Sequence, residues 1–375
     1  MNVLLLHSSS DLYGAGKILL TVVRILKKHG HTPVVVLSQK GLLSNQLQEE
    51  NIKVVFVHLG IIRRKYLSFK GLINRLAVIK KSITSLKKII QENNINIVYS
   101  NTTAVLSGIV VARKLHIKHI WHVHEIIEQP KFFSKFISYF LKKSNDIIAV
   151  SQAVKNHWQQ YLPDKKIDVI YNGIDYAPFL QSSDILKKEL KLSDDKIVMG
   201  TIGRVHFWKG QDYFLRIAGE LSKQYNNLVY VMIGDAFPGY EFLYEKLKTI
   251  KEEENISDVV YDLGFRKNVN ELIQNFDIFI MPSIQQDPFP TVILEAMAAS
   301  KAVVATNIGG AVEMIKNNET GILIPHNDVA KAAKIISHLI SNPDLIKQIE
   351  TNAKRHVLTN FSLALFEEKI IKYFE

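Results

Sequence analysis

Residues Ile278–Ala298 read IFIMPSIQQDPFPTVILEAMA. The four apolar residues Ile278–Met281 are too few for a helix and suit a strand buried on both faces. A polar loop follows. Pro290 then opens a second apolar stretch, where its fixed φ suits the first turn of a helix. The segment is therefore a strand, a loop and a helix, in that order.

Working outward, the same unit recurs along most of the chain. In the first half, short β-branched runs predict strands near Val3–Leu6, Val34–Leu37, Val54–Val57, Ile97–Tyr99, Ile120–Val123, Ile147–Val150 and Val169–Ile170. Helical patterns fall between them, as at Lys17–Lys28, Leu72–Gln91, Thr103–Leu115 and Ala153–Tyr161. The second half repeats the scheme, with strands expected near Ile197–Thr201, Val229–Ile233, Val259–Leu263, Ile278–Met281, Val303–Ala305 and Ile322–Ile324. Strands alternating with helices imply parallel sheets covered on both faces. At 375 residues the chain is too long for one core. The fold class is α/β, with two doubly wound, Rossmann-like domains over 1–172 and 184–360. Residues 173–183 are the linker, marked by Asn172-Gly173 and a proline. Ligands of such sheets bind outside the carboxyl ends of the strands, so two facing domains predict a site in a cleft.

Composition narrows the chemistry. The sequence has no Cys, which excludes a disulfide framework, thiolate metal sites and a cysteine nucleophile. The net charge is +11 and unevenly spread. Residues 1–170 hold 25 Lys+Arg against 9 Asp+Glu, so all the excess positive charge lies in the first half. No long apolar run or basic leader suggests a membrane span or a signal peptide, so the expected location is the cytoplasm or the inner face of the plasma membrane.

Three strand-to-helix loops carry candidate ligand chemistry. Gly14-Ala15-Gly16, before Lys17, brings small residues to a helix start, where backbone N–H groups can meet a phosphate or simply form a tight turn. Its spacing fits neither a Walker loop nor a full dinucleotide fingerprint. Gly203-Arg204-Val205-His206-Phe207-Trp208-Lys209-Gly210 places two cations at a sheet's ligand edge, suited to a diphosphate. Asp287, ahead of the helix at Pro290, and Glu295, in its second turn, can accept hydrogen bonds from ribose or sugar hydroxyls. The bland alternative for that pair is a cap and a solvated face.

On these last two motifs the chain resembles a retaining GT-B glycosyltransferase of glycosyltransferase family four, also called glycosyl transferases group 1. The resemblance implies that Arg204 and Lys209 bind the donor diphosphate, that Glu295 holds the ribose and that Asp287 contacts the donor sugar. Asp287 is one methylene shorter than the family's Glu, and Pro288, Phe289 and Pro290 complete that donor loop. Asn172-Gly173-Ile174-Asp175 resembles the family's interdomain segment. Phe265 and Arg266, after Leu263-Gly264, resemble the segment that meets the base. The final helix, Phe361–Phe374, resembles one crossing back to the first domain, so 361–375 is assigned there. His124, ending the Trp121–Glu125 segment, matches the family's sugar-facing His, and Ser151 its phosphate-binding or helix-capping Ser. His122 and His124 share a strand face but lack a third metal ligand, so no metal site is expected.

The implied activity moves a hexose-type sugar from a nucleoside-diphosphate sugar, with UDP favoured, to a hydroxyl of a glycan or lipid-linked glycan. It would need no cofactor and no metal, and it would serve surface polysaccharide or glycoconjugate synthesis. A sugar-nucleotide epimerase of the same fold and a non-catalytic sugar-nucleotide binding subunit are the alternatives. Residues 61–91, with nine Lys+Arg and no acid, and 130–144, with aromatics among lysines, suit an anionic membrane surface, or else packed aromatics beside solvated lysines. No motif for nucleic acid accompanies the charge.

Overall fold

The computed structural model describes residues 1–62, 69–237 and 239–375, so residues 63–68 of the basic stretch 61–91 lie outside the described residues. The chain divides into two compact units, Met1–Ile174 with Leu363–Glu375, and Asp175–Ser362.

In the first unit strands and helices alternate: β1 (Asn2–Leu6), α1 (Gly14–Lys28), β2 (Thr32–Leu37), α2 (Leu42–Glu49), β3 (Lys53–Phe56), α3 (Phe69–Glu92), β4 (Ile97–Ser100), α4 (Ser107–Lys114), β5 (Lys118–Val123), α5 (Lys131–Leu141), β6 (Asp146–Ala149), α6 (Gln152–Gln159) and β7 (Asp168–Val169). The sheet order is β3-β2-β1-β4-β5-β6-β7, with every pairing parallel. Val3–Leu6 are wholly buried because β1 lies centrally with helices on both faces.

The second unit holds α7 (Ile185–Glu189), β8 (Ile197–Ile202), α8 (Gln211–Ser222), β9 (Leu228–Ile233), α9 (Phe242–Glu253), β10 (Val260–Asp262), α10 (Val269–Leu272), β11 (Ile278–Met281), α11 (Thr291–Ala298), β12 (Ala302–Thr306), α12 (Ala311–Met314), β13 (Ile322–Ile324), α13 (Val329–Ile340) and α14 (Pro343–Asn360). Its parallel sheet runs β10-β9-β8-β11-β12-β13. Gly200, inside β8, lets the Phe276 ring lie on the sheet: a Cβ there would sit 2.2 Å from the ring edge. Each of the thirteen strands among the described residues falls where the β-branched runs placed it.

Boundaries differ where side chains capture the backbone. The helix expected from Thr103 begins only at Ser107, because the Thr103 N–H donates to the Glu125 carboxylate. Linker residues from Asp175 onward join the second unit, with Tyr176 and Phe179 buried there and a 3-10 turn at Ala177–Phe179. The last helix is shorter than expected, α15 (Leu363–Ile371), because the chain leaves helical geometry at Phe361, whose ring is buried. α15 packs on α1 in the first unit, where Glu367 bridges Lys28 and His29 at 2.7 and 2.8 Å. Among the described residues, no helix is long and apolar enough to cross a membrane.

Candidate active site

In the second sheet the strand order reverses between β8 and β11, and the loops after those two strands flank the crevice that such a reversal leaves. The loop after β8 is pinned along its length. Val205 donates to the Asp235 carbonyl at 3.0 Å, and the buried Gln211 amide donates to the Arg204 carbonyl at 2.9 Å. Lys209 closes a turn onto the His206 carbonyl at 2.9 Å. Gly210 follows at φ +73, where a Cβ would lie 1.9 Å from the Pro282 carbonyl oxygen. Only glycine satisfies both demands.

The loop after β11 is held against this one. Ile284 donates to the Trp208 carbonyl at 3.0 Å. Lys209 Nζ donates to the buried Asp287 carboxylate, forming an ion pair that spans the crevice. Arg204 lies over the Phe237 ring at 5.3 Å. Burial holds the His206 imidazole down to about 4, with Lys209 and then Arg204 adding to the effect, so both cations act on the same small volume.

Pro290 stands just before α11 as its N-cap, one position earlier than the first-turn place expected from sequence. Glu295 lies in the second turn and is buried in a helix that is otherwise almost wholly apolar. The buried Tyr176 hydroxyl donates to the Phe361 carbonyl at 2.8 Å. Burial pushes that phenol well above its usual value, and the Glu295 charge adds to the shift, so the two side chains are electrostatic neighbours. Phe289 is buried with its ring 5.9 Å from Phe361, so it anchors the loop after β11. Pro288 is half-buried in the same loop. Phe265 is exposed beyond β10, and Arg266 is engaged by Glu189 at 2.5 and 2.8 Å. Gly203 has open space where a Cβ would be.

Sequence reading missed Gly309 and Gly310. Gly310 donates to the Asp287 carbonyl at 2.8 Å, and Gly309 (φ +60) approaches so closely that a Cβ would lie 2.5 Å from that oxygen. They form the seat of the Asp287 loop. The Gly-Gly pair in the loop four residues past the expected strand Val303–Ala305 was the available signal.

In the first unit the reversal falls between β1 and β4. His7 follows β1, Asn101 follows β4 and His124 follows β5, so the carboxyl edge brings them together. Asn101 donates to the Ala15 carbonyl at 2.9 Å and lies 3.2 Å from His124 Nε2. This fixes the Gly14–Gly16 turn beside His124. Gly14 is exposed and unobstructed at the start of α1, whereas a Cβ on Gly16 would meet the Asp11 carbonyl at 2.2 Å. The His122 ring packs 4.3 Å from that of His124, and its Nδ1 shares a 2.5 Å hydrogen bond with the Tyr99 hydroxyl. Burial keeps His124 well below its usual range, reinforced by His122 and His7, so the imidazole is neutral near pH 7. Glu125 turns away from this group. It accepts from the Thr102 hydroxyl and from the Thr103 and His124 N–H groups, tying the loops after β4 and β5. Ser151 is buried and caps α6, accepting from the Val154 N–H at 3.1 Å. Among the described residues no three His, Asp or Glu side chains cluster as a metal site.

Residues 13–177 match the family described as Glycosyltransferase Family 4, and residues 182–356 match Glycosyl transferases group 1. The chain belongs to glycosyltransferase family four. The two matches leave only residues 178–181 uncovered between 13 and 356. This glycosyltransferase is 25% identical over 309 residues to the UDP-Gal:alpha-D-GlcNAc-diphosphoundecaprenol alpha-1,3-galactosyltransferase of Escherichia coli, covering 77% of this chain and 78% of that one. It is 26% identical over 266 residues to the capsular polysaccharide biosynthesis glycosyltransferase CapM of Staphylococcus aureus, covering 65% and 66%. Its fold matches the crystal structure of Anabaena HepE in complex with UDP-glucose, at a TM-score of 0.85 and 22% identity over 100% and 99% of the two chains. The architecture is thus GT-B, two Rossmann-like units with parallel sheets of seven and six strands.

Proposed function

We propose that this glycosyltransferase moves a hexose-type sugar from a UDP-sugar to a hydroxyl of a lipid-linked glycan, with retention of anomeric configuration and without a metal. The observation that carries the reading is the Lys209–Asp287 ion pair across the β8–β11 reversal, beside Arg204. Two cations and a carboxylate there suit a sugar diphosphate: cations for the phosphates, a carboxylate for a sugar hydroxyl. The Escherichia coli relative, whose name specifies UDP-Gal and a diphosphoundecaprenol acceptor, supports both the base and the acceptor class.

In this mechanism the bond between the anomeric carbon and the leaving phosphate oxygen breaks. The acceptor oxygen bonds the anomeric carbon on the same face, and the acceptor proton passes to the departing diphosphate. Arg204 and Lys209 stabilise the charge that grows on the diphosphate. Glu295 holds the ribose, and Phe265 and Arg266 mark the segment at the base. Asp287 and His124 meet the sugar, with Pro288–Pro290 shaping its loop. The Gly14–Gly16 turn is assigned to the sugar-phosphate region, whereas Ser151, wholly buried, serves as the cap of α6. A neutral His124 acts as a hydrogen-bonding partner and carries no charge into the reaction. The domain roles follow, with donor groups mainly in the second unit and the acceptor on the basic first unit, which works at an anionic membrane face on the cytoplasmic side.

The test is a thermal-shift panel of UDP, GDP, dTDP and ADP, followed by transfer assays with the stabilising nucleotide's sugars. Stabilisation by UDP and transfer unaffected by EDTA are expected. No stabilisation by any of the four, or loss of turnover in EDTA, overturns the reading. Donor incubated alone should give no epimer.

A further inference from the structure

Helix α5 exposes a ridge of aromatic side chains. Its sequence, KFFSKFISYFL, carries aromatics on more than one face. The fold sorts them: Phe133, Ile137 and Leu141 are buried with Ser134 and Ser138, while Phe132, Phe136 and Tyr139 are 63%, 44% and 59% exposed. The exposed three recur at i, i+4 and i+7, so they form one stripe along a helix about 16 Å long. Aromatic groups of this size left in water at such spacing mark an interaction surface.

Charge identifies the partner. Lys131, Lys135, Lys142 and Lys143 flank the stripe, and no acidic residue occurs from Gln129 to Asn145. Lys143 Nζ lies 3.8 Å from the Tyr139 ring centroid, so cation and aromatic form a joined surface. A ridge of aromatic rings edged by lysines complements the apolar–anionic boundary of a lipid bilayer, where rings enter the headgroup layer and ammonium groups meet lipid phosphates. A second copy would bring the same lysines against each other. The helix begins seven residues after His124, and its Ser134 hydroxyl donates to the Ile127 carbonyl of the connecting loop.

We infer that α5 is the membrane-inserting element of this protein, with Phe132, Phe136 and Tyr139 entering an anionic bilayer. This deepens, and rests on, the membrane-facing reading of the basic first unit.

The experiment is flotation with vesicles of phosphatidylglycerol and phosphatidylcholine, or phosphatidylcholine alone, for the wild-type chain and a triple variant Phe132→Ser, Phe136→Ser, Tyr139→Ser. A Phe132→Trp variant adds a fluorescence readout, its emission compared with that of the wild-type chain, and an unchanged melting temperature verifies folding. Wild type should float only with the anionic vesicles, and the triple variant should bind them at least about tenfold more weakly. Emission from the introduced indole should shift to the blue when those vesicles are added. Failure of wild type to bind anionic vesicles overturns the membrane reading together with this inference. Wild-type binding by the folded triple variant overturns only the assignment to α5. Indole emission already blue-shifted without vesicles, and rising with protein concentration, assigns the ridge to a second copy and overturns it too.

Discussion

Lys209 and Asp287, 78 residues apart in sequence, form an ion pair that joins the loop after β8 to the loop after β11. Both side chains are largely shielded, 20% and 10% exposed. The cation proposed for the diphosphate and the carboxylate proposed for the sugar therefore face each other directly. Each fixes the other's position, and neither can change without leaving its partner unpaired in a shielded site.

Lys209→Ala and Asp287→Asn should each reduce kcat by about 10² to 10³-fold, the range for losing one preorganised charge stabiliser. Because the two act as a pair, the double variant should fall well short of the product of the single losses. Steady-state kinetics on the four members of the cycle decide this. Strict multiplicativity would show that the pair is not a functional unit.

Glu295→Gln should act on binding. If the carboxylate holds the ribose, its loss raises the donor KM about 10- to 100-fold, the worth of one hydrogen bond to a charged group, and changes kcat little. The thermal shift produced by UDP should shrink in parallel. A variant with normal KM and reduced kcat would place Glu295 at the reacting sugar instead.

Gly309→Ala tests the seat of the Asp287 loop. The new Cβ would lie 2.5 Å from the Asp287 carbonyl oxygen, at a φ of +60 that alanine adopts only under strain. Stability should fall by about 1–3 kcal/mol, and kcat should fall by a larger factor than the affinity for UDP. Full activity with lowered stability would make Gly309 merely structural.

The buried histidines set the response to acid. Burial lowers His7 to about 4, and His119 and His122 to about 3, from an ordinary 6.5. Below pH 6.5 the unfolded chain takes up protons that the folded chain refuses, so stability falls as pH drops, down to about pH 4 for His7 and about pH 3 for His119 and His122. Each such histidine contributes up to about 1.4 kcal/mol per pH unit in that window. Glu125, whose carboxyl burial raises, acts in the opposite sense just above its ordinary value of 4.5. Urea denaturation from pH 7.5 to 4.5 measures the sum, and a flat profile would contradict the neutral, buried state of these rings. The rate profile should carry no inflection from His124 between pH 6 and 8.

Much of this protein was legible in its sequence because its signals are local. Thirteen short apolar runs specified the thirteen strands found among the described residues, since a strand buried on both faces needs an unbroken run of β-branched or bulky apolar side chains. The Arg204–Lys209 and Asp287–Glu295 spacings were readable because each falls within one strand-loop-helix unit. What stayed hidden depends on residues distant in the chain. The seat made by Gly309 and Gly310 and the closeness of Tyr176 to Glu295 arise only when separate loops meet. The Asn101 bridge between His124 and the Gly14–Gly16 turn has the same origin.

The charge asymmetry shows the division well. Sequence alone determined that the positive excess belongs to the first half, and that aromatics accompany it in 130–144. It left open whether those aromatics were core or surface, because α5 carries them on several faces and periodicity cannot rank two apolar stripes. Packing against the sheet decided: Phe133 went inside and Phe132, Phe136 and Tyr139 stayed out. Periodicity determines which residues share a face, and only the tertiary structure determines which face the core covers.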